Sequence, residues 1–306
     1  MTDLFDHRQV RRAFSRAAHG YDNAAALQRE VAARLMEQLD YLDDPALNRA
    51  PPQVVLDVGC GPAHATVAMQ KRWPKAQVIA LDLALPMLHE ARHNAGGWRP
   101  SLLLGSRRRP DPVCADAQAL PLRDGSVDVL FSNMCLQWVE DLPSVFAGFR
   151  RVLKPDGLLL VSTFGPDTLH ELRGAFAQAD NVPHVSAFAS IAQFGDALIA
   201  AGFKNPVLDR DEFVFGHADL GELMRELRTL GATNAMIDRR RSLTGRARFA
   251  RAGQAYESWR RDGRLPATWE VIYAHAWGPQ PGTPIRVGGV DEVQVPVSRI
   301  PIRKRP

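Results

Sequence analysis

The sequence predicts an α/β protein of Rossmann-like architecture, a mostly parallel sheet with helices on both faces. Three observations predict it. Short apolar runs alternate with helical stretches of about ten residues, the signature of βαβ units. The first run, Val54–Val58, ends in the glycine turn Gly59-Cys60-Gly61-Pro62. Acidic or amide residues then stand at the ends of the runs that follow.

Taken in order, residues 8–40 read as helical, with Leu27, Val31, Leu35 and Leu39 forming an apolar stripe. Residues 43–53 hold three prolines and no periodicity, and read as a linker. Strands are expected at Val54–Val58, Val78–Asp82, Val113–Asp116, Val127–Ser132 and Leu158–Phe164. Between them, helices are expected at Ala65–Trp73, Pro86–His93 and Leu142–Leu153, with a loop insertion at 96–112 and a turn at Lys154–Gly157. Beyond the fifth strand, Thr168–Ala179, Ile191–Ala201, Leu220–Leu230 and 244–260 read as helices. Two short strands fit near Val207–Leu208 and Glu212–Phe215, and a late strand at Trp269–Trp277. The organisation expected is an amino-terminal helical lid (1–45), an α/β domain (50–280) with a helical substrate-side insertion (170–265), and a poorly ordered tail (281–306).

Composition narrows the class. The 306 residues are 45% hydrophobic and 24% charged, which is globular and not disordered. Three cysteines with no C-x-x-C pair argue against a zinc site, so no metal is expected. The first seven residues lack the apolar stretch of a signal peptide, and no apolar run approaches the length of a membrane span. These features predict a cytoplasmic protein with no membrane partner. A net charge of +4 demands no nucleic acid. The arginines are nonetheless clustered, at 107–109, 239–241 and then Arg246, Arg248, Arg251, Arg260, Arg261 and Arg264. Such runs either solvate a face or dock an acidic partner.

A glycine turn between strand and helix lets the backbone approach a ligand closely. Asp82, about twenty residues on, stands where an acidic residue accepts ribose hydroxyls in nucleotide-binding folds. Asp116, followed by Ala117, closes the third strand and Asn133 ends the fourth. Each acid alone reads as a helix cap or loop charge. Together with Asp57, Gly59, Gly61 and Leu83 they converge on the carboxyl ends of parallel strands, where open sheets bind ligands. The run Gly59-Cys60-Gly61-Pro62-Ala63-His64 lacks the third glycine of a pyrophosphate fingerprint.

The motif Asp57-Val58-Gly59-Cys60-Gly61-Pro62 resembles the first motif of class I methyltransferases, with Ala63 where those carry glycine. Asp82-Leu83, Asp116-Ala117-Gln118 and Arg151–Gly157 resemble the later ones. The resemblance covers about residues 50–165. It implies the seven-stranded class I fold and S-adenosylmethionine as methyl donor.

A narrower resemblance spans nearly the whole chain. Phe14–Asp22 with Leu27-Gln28, Asn133 with Leu136-Gln137-Trp138, Pro183-His184, and Met224-Arg225 with Gly231-Ala232 are similar to malonyl-acyl carrier protein O-methyltransferases of biotin synthesis. That family implies a malonyl thioester on acyl carrier protein, or malonyl-CoA, as substrate, and its methyl ester as product. A malonyl carboxylate is already ionised at neutral pH, so no strong base is needed. Alignment, exclusion of water and a permanently charged donor for the anion are required instead. Arg225 is the candidate for that donor, with Arg173 behind it; each also reads as an ordinary helix arginine. Tyr21 either closes over the methyl donor, orienting the carboxylate, or packs the first helix. His184 either donates to substrate or stabilises a loop. Trp138 and Phe188 read as pocket walls or core.

Other segments, Leu136–Val139 through Pro143, Phe164–Leu169 and Pro266–Trp269, resemble a respiratory-complex assembly factor of the same fold, linked to modification of a protein arginine. A small-acid or quinone methyltransferase, and a cofactor-binding module without turnover, are the remaining alternatives.

Overall fold

The computed structural model describes residues 4–44, 49–96, 109–242, 244–283, 285–287 and 290–292. Its core is a seven-stranded sheet in the order β3-β2-β1-β4-β5-β7-β6. The strands are β1 (Val54–Val58), β2 (Gln77–Asp82), β3 (Asp111–Cys114), β4 (Val127–Ser132), β5 (Leu153–Phe164), β6 (Lys204–His217) and β7 (Leu265–Trp277). The first five run parallel, with Leu56 beside Ile79 on one side and Leu130 on the other. Strand β7 inserts antiparallel between β5 and β6. The predicted fold class is therefore the observed one.

The helices are α1 (His7–Ala17), α2 (Tyr21–Ala24), α3 (Ala26–Glu37), α4 (His64–Arg72), α5 (Leu85–Asn94), α6 (Leu142–Val152), α7 (His170–Ala177), α8 (Ile191–Ala200), α9 (Leu220–Thr229) and α10 (Arg246–Tyr256). Local chemistry starts several of them. Asp6, Asp141 and Asp219 each accept the amide of the residue three further on, and Ser190 with Gln193 forms a reciprocal capping box.

The strand alternation sorts the core onto two faces. Val55, Val78, Val129, Phe131 and Leu160 pack beneath α3, α4, α7, α9 and α10. Leu56, Leu81, Leu130, Leu159 and Val161 pack with α6 and α8 on the other face. Helices α7, α9 and α10 thus share one side of the sheet with α3, which brings that part of the insertion alongside the amino-terminal segment.

Several expectations shift. The single helix read over 8–40 is broken at Gly20 and Ala25 into α1, α2 and α3. The two short strands near 207 and 212 are one long edge strand, β6, held by pairing to β7 from Lys204 to His217. The turn at Lys154–Gly157 is a bulge inside β5: Leu153 pairs with Val127 and Leu158 with Val129, leaving the intervening residues looped out. Strand β3 begins before Pro112, since an edge strand tolerates a missing N–H, and ends two residues short of Asp116. Within the expected tail, Ile285–Val287 and Val290–Glu292 pair as an antiparallel hairpin. Most of the expected 96–112 loop, with Arg107 and Arg108, lies outside the described residues.

Candidate active site

Above the carboxyl ends of β1, β2 and β4 lies a crevice walled by Gly59, Gly61, Asp82, Leu83, Asp116, Ala117 and Asn133, with Phe14 and Tyr21 from the amino-terminal segment. A second arm of it, reached past Tyr21 and Asn133, is walled by Asp57, Gln28 and His64. The cofactor residues read from sequence thus meet in one place.

The floor is fixed by backbone conformation. Gly59 has φ +72°, and a Cβ there would lie 2.6 Å from both Cβ and Sγ of Cys135. Gly61 has φ +51° and faces open space within 4 Å of where its Cβ would stand. Ala63 takes φ 68° and ψ 30° while fully buried, the left-handed geometry that explains why glycine is usual at this point of the motif. The Asp82 carboxylate accepts the amides of Gly61 (2.9 Å) and Ala84 (2.8 Å), which joins the glycine loop to β2. Burial pushes its pKa up to about 6, against those two amides, which lower it. Asp57, 2% exposed, turns beneath the loop and accepts the Thr66 hydroxyl at 2.5 Å. Burial raises it to about 7, with the Asp82 charge adding to the effect. Asp57 therefore also braces α4. Asp116 turns its own loop by accepting the Gln118 amide at 2.9 Å while lining the crevice.

Asn133 has two duties. Its Nδ2 donates to the Gln28 carbonyl (3.0 Å) and its Oδ1 accepts the Ser162 hydroxyl (2.8 Å), so the tip of β4 holds α3 in place. Asp22 continues that attachment, accepting from His64 (2.8 Å) and Asn94 (3.3 Å). Tyr21 lies between the two arms of the crevice. Burial, then the charge of Asp82, pushes its hydroxyl pKa up, so it remains a protonated donor.

A second cavity lies against α7 and α9, walled by Phe164, Phe176, Phe188, Met224, Leu227 and Trp269 with His184, Arg228 and Arg240 at its polar side. Trp138 lines both this cavity and the crevice, and packs edge-on against Phe5 and Phe14. His184 belongs to this second cavity. Its Nε2 meets Asp180 at 2.9 Å and its ring stacks on Phe176, 4.0 Å between centroids. Asp180 is held below the usual carboxylate range: its burial, which raises it, is outweighed by the hydrogen bonds from His184 and the Val182 amide and by the charge of Arg240.

Two sequence candidates do not reach either cavity as expected. Arg225 is exposed on α9 and lines neither, because the buried stripe Leu220, Leu223 and Leu227 turns position 225 outward; Arg228, one residue past that stripe, lines the second cavity instead. The phase of that stripe was the signal that could have found it. Arg173 donates to the carbonyls of Pro166 and Thr168, a structural clasp. Several of the clustered arginines are also engaged internally: Arg239 with Asp6, Arg240 with Asp180, Arg251 with the Ala179 carbonyl and Arg260 with Glu257. Arg241 and Arg246 remain exposed. Among the described residues no helix is long and apolar enough to cross a membrane.

A family model described as a methyltransferase domain matches residues 56–161, the stretch that builds the crevice. Solved structures agree in fold. A methyltransferase-like protein of Bacillus halodurans C-125 superposes with TM-score 0.53 at 19% identity, covering 81% of this chain and 99% of its own. The YcgJ protein of Bacillus subtilis superposes with TM-score 0.52 at 14% identity, covering 80% and 98%. Fold and crevice together define an S-adenosylmethionine-dependent methyltransferase of class I. Relatives narrow this further. The malonyl-[acyl-carrier protein] O-methyltransferase of Xylella fastidiosa (strain M23) is 56% identical over 100% of this chain and 99% of its own length. That of Methylovorus sp. (strain MP688) is 48% identical over 90% of each. The chain belongs to the malonyl-[acyl-carrier protein] O-methyltransferase family.

The crevice fits the methyl donor. A glycine loop open at Gly61, a carboxylate at the end of β2 and another past β3 offer partners to an aminoacyl group, a ribose and an adenine.

Proposed function

We propose that the protein methylates the free carboxylate of a malonyl thioester presented by acyl carrier protein, forming the methyl ester that the family resemblance assigns to biotin synthesis. The observation that carries this reading is the meeting of the donor crevice with a separate, largely apolar cavity at Trp138. The donor, when bound, supplies a methyl group made electrophilic by its sulfonium. Gly59, Gly61 and Asn133 would border its methionine end, Asp82 its ribose, and Asp116 with Ala117 its adenine.

The rest of the work falls to this chain. The carboxylate arrives ionised, so no side chain has to remove a proton. What the site must do is hold the anion in line and keep water out. Tyr21, kept protonated by its burial, supplies a hydroxyl donor beside the reacting centre. Phe5, Phe14 and Trp138 close the apolar flank. Arg228 replaces Arg225 as the cation on the substrate side, and His184, pinned by Asp180 and Phe176, forms the wall along which the acyl arm lies. Exposed Arg241 and Arg246 would meet an acidic carrier protein.

The test incubates the purified protein with labelled S-adenosylmethionine and either malonyl- or acetyl-acyl carrier protein. Base-labile label on the malonyl form alone is expected. Equal labelling of both, or of neither, would overturn the assignment.

A further inference from the structure

Buried polar side-chain atoms almost always find partners, so a group of them without partners in one place calls for an explanation. Gln137 Oε1, Trp138 Nε1, Thr233 Oγ1, Arg240 Nε and Trp269 Nε1 are all buried and, among the described residues, meet no hydrogen-bond partner. All five residues line the second cavity. Most of these atoms are donors, and an indole N–H can only donate. The wall of an otherwise apolar chamber is thus short of acceptors, which is what a ligand rich in oxygen would bring.

Trp138 is singled out by position. It lines the second cavity and the donor crevice at once, so its indole forms part of the partition between the two. Its ring is held on the amino-terminal side by edge contacts to Phe5 (5.9 Å) and Phe14 (5.5 Å). The neighbouring Gln137 side chain is tied down by its donation to the Met134 carbonyl at 2.7 Å. A carboxylate coming from the second cavity toward a methyl group in the crevice has to pass this partition. The N–H is closed off from bulk solvent by the side chains around it.

Resting on the malonyl-thioester reading, we propose that Trp138 reads the substrate: its Nε1–H donates to the substrate carboxylate at the neck between the cavities, leaving the second carboxylate oxygen free to attack. A neutral donor suits this place. It orients one oxygen without a second full charge beside the sulfonium, and it offers nothing to an acetyl thioester, which has no carboxylate there. A buried donor without an acceptor is costly, and the substrate carboxylate would meet this one.

The experiment compares wild type with Trp138→Phe, which retains an aromatic ring but lacks the N–H. A second variant carries benzothienylalanine at the same position, replacing N–H by sulfur in a ring of the same outline. Both are expected to raise KM for malonyl-acyl carrier protein about ten- to hundredfold, the usual range for a lost hydrogen bond to a charged group. The benzothienyl variant, which keeps the outline of the ring, should leave the Kd for S-adenosylmethionine within about twofold and the melting temperature of the free protein unchanged or higher. A KM like that of wild type in the benzothienyl variant would overturn the proposal. So would a lowered melting temperature together with weakened donor binding in that variant, which would mark the N–H as a structural or cofactor contact. If wild type itself does not methylate the malonyl thioester, the functional reading fails and this inference with it; if wild type does and the variants match it, only the role of Trp138 falls.

Discussion

Replacing Gly59 with alanine would put a methyl group where the structure has no room for one. The added Cβ would lie 2.6 Å from the Cβ and Sγ of Cys135, on a backbone with φ +72°. The left-handed conformation alone costs a residue with a Cβ about 1–2 kcal/mol. Overpacking against a well-filled neighbour costs about 1–3 kcal/mol more. The strain of a few kcal/mol falls on the crevice floor, between the tip of β1 and the segment after β4, so it should appear mainly as lost donor affinity. An increase in Kd for S-adenosylmethionine of about tenfold to a thousandfold is expected, each factor of ten corresponding to about 1.4 kcal/mol. Titration calorimetry with S-adenosylmethionine or S-adenosylhomocysteine measures it directly. The clash and the backbone term can be separated. Gly59→Ala combined with Cys135→Gly removes the collision and leaves the φ cost, so about one order of magnitude or more should return. A single mutant binding within threefold of wild type, or a double mutant no better than the single, would refute this account of the floor.

Three further outcomes are expected. Asp57 has a folded-state pKa of about 7, above its ordinary 3.8, so its protonated form stabilises the fold below about pH 4 and that contribution is lost as pH rises through 7. Asp57→Asn, whose amide oxygen can still accept from Thr66, should melt a few degrees above wild type at pH 8 and level with it near pH 4 in scanning calorimetry; a lower melting point at pH 8 would contradict the sign. Asn133→Ala severs the tie between β4 and α3, and should cost about 1–2 kcal/mol while speeding amide hydrogen exchange over residues 21–30; unchanged protection there would show that the tie is idle. Tyr21→Phe should lower kcat about tenfold with donor Kd nearly constant, in keeping with one lost hydrogen bond near the reacting centre; a change confined to donor affinity would assign the hydroxyl to cofactor binding instead.

The parts of the site that were legible in the sequence are those fixed locally. Gly59, Asp82 and Asn133 announce themselves because a strand end, a tight turn and a polar side chain are consecutive, and parallel strands bring their tips together whatever the loops do. Ala63 was visible as a departure from the motif, and its left-handed geometry shows that the backbone path is retained without the glycine. The rest depends on tertiary contacts. The continuity of β6 comes from β7, its antiparallel partner some sixty residues later, and not from its own alternation, which Asn205-Pro206 and Asp209–Glu212 interrupt. The bulge in β5 looks like a turn in one dimension and becomes a strand irregularity only because β4 keeps pairing on either side of it. Arg225 and Arg228 are both exposed on α9, but position 228 lies about 60° nearer the buried stripe of Leu220, Leu223 and Leu227 and so borders the second cavity. The pairing of Asp180 with His184 lies in an irregular segment with no period to read.

The first strand-like contact of the chain is also among its most distant. Phe5 forms a bridge with Met236, the Asp6 amide donates to the Ala235 carbonyl, and the Ile237 amide donates to that of Leu4. Nearer parts of the chain hold the same segment as well: α1 packs on α5, and Phe5 and Phe14 pack edge-on against Trp138. The α1 residues that wall the crevice are thus tied down from two sides, and only the fastening to residues 235–237 waits for that part of the chain. The last wall of the chamber is therefore closed across the chain, where residues 4–6 meet residues 235–237.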